Sequence, residues 1–182
     1  MSCALTAGYS IPCGQLVGGI KAAYMSEDQA VDIPALAGFA ATSSSITAVT
    51  SGTAVEFWTF ELKKELSTFT NTTTREPANG TVFESQSATL VFHGDATRNY
   101  ETFHKLTTGR RNVWILDNQN QLFLLGATQG MDVTSVAFEP GTSYGDMVGY
   151  RMELTGSEPA LYFGAAGTAA DPFNGITGVS IN

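Results

Sequence analysis

Alternation of apolar and polar positions is sharpest in two stretches of the first half of the chain. In Glu56–Lys63, Trp58, Phe60 and Leu62 fall on one side, and Phe57, Thr59, Glu61 and Lys63 on the other. In Thr81–His93, Ala88, Leu90 and Phe92 share a face, and Ser85, Ser87 and Thr89 share the opposite one. Side chains of a strand point alternately to the two faces of its sheet, so each stretch predicts a strand with one oily and one wetter side. The tract between them, Thr68–Gly80, is polar and ends in Asn79-Gly80, a turn-forming pair. The expectation is a long antiparallel hairpin whose residues 67–80 form an extended, mobile loop.

The same reading predicts strands at Gln15–Tyr24, Ser43–Val49, Asn112–Asp117, Gln121–Gly126, Gly130–Phe138 and Met147–Thr155, with short pairings near Leu161–Phe163 and Ile176–Ile181. Gly18-Gly19 inside the first of these marks a bulge or a close backbone approach. After His93 the period changes. Tyr100, Phe103 and Leu106 lie about a turn apart, Asp95 or Thr97 is placed to cap, and Gly109 supplies a stop, so a helix is predicted over 96–107. Asn118–Asn120 turns the chain between two apolar runs that read as a hairpin. The fold class that follows is mainly β, an antiparallel β-sandwich or partly closed barrel with one flanking α-helix. Nothing in the composition divides the chain. It is read as one domain over 1–182, with an irregular N-terminal arm (1–14) and a Gly/Ala-rich C-terminal tail (164–182).

Composition narrows the function. The 182 residues are 43% hydrophobic, enough for a core, but only 14% charged, against roughly 25% in ordinary globular chains. A surface short of charge suits one covered by other subunits. The net charge of −8 lacks the basic footprint that phosphate binding needs, and suits a surface that repels nucleic acid. No run of 18 or more apolar residues predicts a membrane span, and no secretory leader pattern is seen. Asn71-Thr72-Thr73 and Asn79-Gly80-Thr81 match the glycosylation pattern and are read as turn-forming tracts. Cys3 and Cys13 are read as reduced thiols rather than a disulfide framework or a metal site.

The search for chemistry yields little. Gly141-Thr142-Ser143-Tyr144-Gly145 fits the hydrolase Gly-x-Ser-x-Gly pattern, which requires strand, sharp turn and helix. Here an alternating strand follows instead, so a turn is expected. His93 ends a strand and His104 lies within the predicted helix, each read as a structural or surface histidine rather than a general base. No carboxylate pair has two distinct environments of the kind acid–base chemistry uses. The expectation is no catalysis, no cofactor and no metal.

Several segments together resemble small virion proteins of tailed bacteriophages, the tail-tube type in particular. They are Gly18–Tyr24, Phe57–Lys63 with its polar loop, Asn79–Gln86, Leu122–Gly126 followed by Gly130–Asp132, and Gly145–Glu158. The likeness spans roughly residues 15–160 in order and spacing. It implies a β-barrel or sandwich subunit that assembles with itself into stacked six-membered rings in the virion tail, after synthesis in the host cytoplasm. Other tail proteins would be partners, and DNA would pass through the lumen without specific binding. It further implies that inner strands of neighbouring subunits join into one barrel and that a long hairpin loop reaches the next ring. On that basis Thr59, Glu61, Lys63, Ser85, Ser87 and Thr89 are lumen-facing candidates. Thr70, Asn71, Thr72, Arg75, Glu76 and Asn79 are inter-ring candidates. Lys63 and Lys64 run against a wall that repels phosphate. The rival readings are a neck or head–tail connector ring and a β-sandwich binding or capsid-decoration module.

Overall fold

The computed structural model describes residues 17–27, 30–36, 39–42, 44–49, 55–63, 65–94, 96–164, 173 and 179–181. Cys3, Cys13 and the predicted N-terminal arm lie outside them, as does most of the C-terminal tail. In chain order the described elements are β1 (Ile20–Ser26), a 3-10 turn (Ile33–Ala35), β2 (Ala40–Thr42), β3 (Ser45–Ala48), β4 (Val55–Glu61), β5 (Thr68–Glu76), β6 (Thr81–His93), α1 (Ala96–Leu106), β7 (Val113–Asp117), β8 (Leu122–Leu125), β9 (Asp132–Glu139), β10 (Gly149–Glu158), β11 (Tyr162–Gly164) and β12 (Val179–Ile181).

The strands form two sheets. The large one runs β12-β4-β1-β7-β8-β11-β3-β2 and the small one β5-β6-β10-β9. Every joint of the small sheet is antiparallel. The large sheet includes two parallel joints, β3 with β11 and β4 with β12. Neither closes into a barrel, so the sandwich form of the predicted class holds, with α1 at its flank.

The two sheets face each other across one core. Met25 and Ile115 come from the large sheet, Leu90, Phe92, Met152 and Leu154 from the small one, and Phe103 and Leu106 from α1. Phe92 and Phe103 pack ring to ring at 5.2 Å, as do Phe103 and Tyr150 at 4.2 Å. A second core covers the far side of the large sheet, where Tyr24, Phe57, Trp114, Leu122 and Leu124 meet Ile33, Ile46 and Phe173. The large sheet is therefore oily on both faces. This explains why β7 reads as an unbroken apolar run, Val113-Trp114-Ile115-Leu116, all buried.

A polar knot fastens the two cores. Asn112, fully buried, accepts from Val31 N at 2.8 Å and donates to the carbonyls of Val31 and Gly126. Arg111 donates to the carbonyls of Ser26, Glu27 and Lys105, tying α1 to β1. Gln86 accepts from Gly126 N, and Glu158 accepts from the N–H groups of Thr128 and Gln129. Loops on three sides thus end on buried side chains rather than on water.

The helix and the β7–β8 hairpin are found where predicted. Gly18 and Gly19 lie just before β1 rather than inside it; Gly19, at φ +105°, makes the close approach, to Asn118, and the register break falls one step on, between Ile20 and Ala22. Two expectations fail. The long hairpin does not form: β4 pairs with β1 and β12 in the large sheet, while β6 pairs with β5 and β10 in the small one. The chain crosses between the sheets at 62–67, where Lys63 N donates to the Val91 carbonyl and Val91 N donates to Ser67 Oγ, both at 2.9 Å. Alternation fixes which face is buried but names no partner strand. Residues 67–80 are also not a loop. Thr68–Glu76 is strand β5, and only 77–80 turn, with Gly80 at φ +67°. A run of β-branched threonines favours extended backbone even where Phe69 is the one large apolar residue of the strand.

Candidate functional site

The small sheet has one dry and one wet face. Ala88, Leu90 and Phe92 of β6 and Met152 and Leu154 of β10 turn inward, so their odd-numbered neighbours turn outward. The registers place Thr68, Thr89, Glu153 and Ser135 in one cross-strand row. Thr70, Ser87, Thr155 and Asp132 make the next, and Thr72, Ser85 and Ser157 a third. The outer face is thus a carpet of hydroxyl groups. Its arginines are matched: Arg151 Nε lies 3.0 Å from Glu139 and Arg110 Nε lies 3.1 Å from Asp132. The hydrogen bond and charge of Glu139 raise the Arg151 pKa above its usual value. Glu153 accepts from Ser135 Oγ at 3.1 Å. Hydroxyls with paired cations present no bare positive charge to a polyanion.

The edges of the two sheets differ as much as their faces. The large sheet ends in β12 and β2, three residues each. The small sheet ends in β5, of nine residues, and β9, of eight. Natural proteins blunt exposed edges with short strands, proline, lysine or bulges. β5 carries no proline, lysine or register break. β9 carries one extra residue, Thr134, whose hydroxyl donates to the Glu153 carbonyl at 3.1 Å. Four strands in antiparallel order make β5 and β9 run oppositely. Hence β9 of one copy and β5 of another meet antiparallel in a continued sheet, whatever the number of copies.

The predicted lumen residues are divided by this fold. Ser85, Ser87 and Thr89 lie together on the outer face of the small sheet. Thr59 and Glu61 do not join them. They share the side of β4 that holds Phe57, and Phe57 packs in the core beyond the large sheet. Lys63 lies past the end of β4 and is exposed. Of the predicted inter-ring residues, Thr70 and Thr72 belong to the hydroxyl face. Asn71 points to the other side and donates to Glu84 at 2.7 Å, beside Thr73, which donates to the same carboxylate at 2.8 Å. Only Arg75, Glu76 and Asn79 stand near the tip of the β5–β6 hairpin, which outruns the end of β10 at Glu158. Thr68, Thr155, Ser157 and Glu153 were missed. The alternation of Arg151, Glu153, Thr155 and Ser157 against Met152 and Leu154 was a signal that could have found the last three.

At the opposite end of the small sheet, the loop after β9 is held by one carboxylate. Asp146 accepts from Thr142 Oγ1 and Thr142 N at 2.7 Å and from Ser143 N at 2.8 Å. The Thr142 hydroxyl first, then the two backbone N–H groups, hold its pKa well below the usual carboxylate range. This loop contains the Gly-x-Ser-x-Gly match, and Gly149 of β10 follows it directly, without the helix a nucleophile elbow needs. Among the described residues no cluster of His, Cys, Asp and Glu is arranged to hold a metal ion, and no helix is long and apolar enough to cross a membrane.

The fold and surface define, among the described residues, a two-sheet, mainly antiparallel β-sandwich with a flanking helix and one hydroxylated sheet that ends in two long strands. No family model matches the chain, and no curated protein is significantly similar to it. A chain described as "Virion of native gene transfer agent (GTA) particle" is similar at 15% identity and a TM-score of 0.34, over 57% of this chain and 85% of that one. A likeness of that size carries no functional argument.

Proposed function

We propose that the chain is a structural virion protein that assembles through the edges of its small sheet into rings, stacked as the tube of a bacteriophage tail. The observation that carries this reading is the pair of long edges, β5 with no proline, lysine or register break and β9 with a single bulge at Thr134, in a sandwich whose other sheet ends in three-residue strands. Joined head to tail, these edges make a heterologous contact that closes into a ring. Width supports a count of six over a count of three. Strands about 4.8 Å apart and tilted about 40° give a barrel roughly 48 Å across its backbone for six copies, and roughly 24 Å for three. Side chains fill most of the smaller barrel, whereas the larger leaves a bore that admits a DNA duplex. Ser85, Ser87, Thr89, Thr70, Thr72, Thr155 and Ser157 line that bore in this reading. Their hydroxyls and the net charge of −8 let phosphates pass without holding them. Arg75, Glu76 and Asn79 sit where the hairpin tip meets the next ring. The role is scaffolding and conduction, with no catalysis, cofactor or membrane.

The test is light-scattering mass of the purified protein over a wide concentration range, with negative-stain images of the same samples. Stacked rings with a central bore are expected. Single rings that never stack favour a head–tail connector instead. A stable monomer or trimer at high concentration favours a binding or decoration module and overturns the proposal.

A further inference from the structure

A nine-residue strand edge supplies main-chain hydrogen bonds but little area, and specific interfaces bury about 800 Å² per partner. Apolar surface beside the edges has to supply the remainder. On the inner side of β9, between that strand and α1, lies a groove of about 330 Å³ walled by Tyr100, Phe103, Val133, Val136 and Phe138. Tyr100 is 62% exposed and stacks on His104 at 5.7 Å with the rings nearly parallel. Phe138 is 38% exposed.

The inner side of β5 is different. Phe69 of β5 meets Phe123 of β8 at 5.1 Å, which places β8 over the β5 edge. Phe60 of β4 meets Phe92 of β6 at 5.8 Å, so from β4 to β8 the large sheet runs in the direction from β6 to β5, and β11, β3 and β2 continue that way. Phe163 stands opposite Phe123 in the β8–β11 ladder, so the two side chains share a face. The result is a ledge of Phe69, Phe123 and Phe163, each half-buried, roofing the space beside β5.

Resting on the ring reading above, we infer that this ledge is the seat for helix α1 of the adjacent copy, with Tyr100 as its anchor. The argument is one of sides. α1 lies on the inner side of β9, and the ledge lies on the inner side of β5. When β9 of one copy extends the sheet of another at β5, the two inner sides become one. The arriving helix enters the space under the overhang of the large sheet. An exposed aromatic beside a strand edge then faces a phenylalanine shelf, a pairing that aromatic interface anchors favour.

The experiment compares the wild type with Tyr100→Asp, Tyr100→Phe and Phe138→Asp, by light-scattering mass against concentration and by thermal melting of the monomer. The inference expects Tyr100→Asp to raise the concentration of half-assembly by about thirtyfold or more. The melting temperature of its monomer should stay unchanged, because Tyr100 lies on the surface. Tyr100→Phe should assemble as the wild type does. Phe138→Asp gives an independent second reading should Tyr100→Asp melt early. If the wild type assembles and both Asp variants assemble equally well, the ledge contact is wrong while the ring reading stands. If the wild type stays monomeric at every concentration, both fall together.

Discussion

The two sheets of this sandwich are built to opposite rules. The large sheet is covered on both faces and tapers at both ends into three-residue strands. Most of its area is buried within one copy of the chain. Among the described residues the small sheet buries one face, shows hydroxyls along most of the other, and ends in strands of nine and eight residues. The first behaves as a foundation whose stability comes from burial. The second behaves as a surface whose properties come from what it leaves open. Mutations in the buried cores and ladders should therefore move stability, and mutations on the outer face and edges of the small sheet should move assembly.

The largest change in stability is expected deep in the large sheet. Trp114 is fully buried and meets Phe173 edge-on at 5.4 Å. Trp114→Ala should cost about 3–5 kcal/mol in urea unfolding, by lost transfer energy and the cavity left behind. Next comes the polar knot. Asn112→Ala strands the Val31 N–H and the carbonyls of Val31 and Gly126, and should cost about 2–4 kcal/mol on the same measurement. At the joint of β6 and β10, a side chain at Gly149 would collide with the Phe92 carbonyl oxygen. Gly149→Ala should then cost about 1–3 kcal/mol as the ladder shifts to make room.

Smaller effects belong to the open sheet and its loop. A carboxyl depressed in the folded state stabilises that state at every pH above its ordinary value of about 3.9, and the gain is lost as pH falls through the depressed value. Asp146 is such a group. Its loop should keep its order from neutral pH down past the range where ordinary carboxylates protonate. Carboxyl carbon chemical shifts followed by pH titration check this, and a midpoint near 3.9 would contradict it. The smallest effect is expected on the hydroxyl face itself. Ser87→Ala should stay within about 0.5 kcal/mol of the wild type, because an exposed hydroxyl on a strand surface holds nothing up. A loss near that of Trp114→Ala would mean that the face is not open at all.

The parts that were legible in the sequence are those where burial imposes a period. β7, β8, α1 and the inner positions of β6 and β10 announce themselves because Leu90, Phe92, Phe103, Leu106, Ile115, Met152 and Leu154 must reach one core. β5 was hidden because its threonines face water on an edge, so no apolar rhythm marks it. Locally its extended shape is marked by β-branching, with Phe69 as its one large apolar residue. The partnership of β4 and β6 was misjudged for a second reason. Both strands are amphipathic and near in sequence, yet Phe57 is drawn into the outer core of the large sheet while Phe92 is drawn into the inner one. That choice depends on Ile33, Ile46 and Phe173, which lie outside both strands. The hydroxyl face was half visible, through Ser85, Ser87 and Thr89. It lacked its β10 half because a strand's two faces have no meaning until its neighbours are known.

The central claim is that copies join through β5 and β9, and backbone hydrogen exchange reads that joint directly. Peptides covering 68–76 and 132–139 should exchange rapidly in the dilute monomer and gain protection at alternate amides on assembly, while peptides covering the edge strands of the large sheet stay as they were. Assembly without new protection in those two segments, or with protection confined to the large sheet, would contradict it.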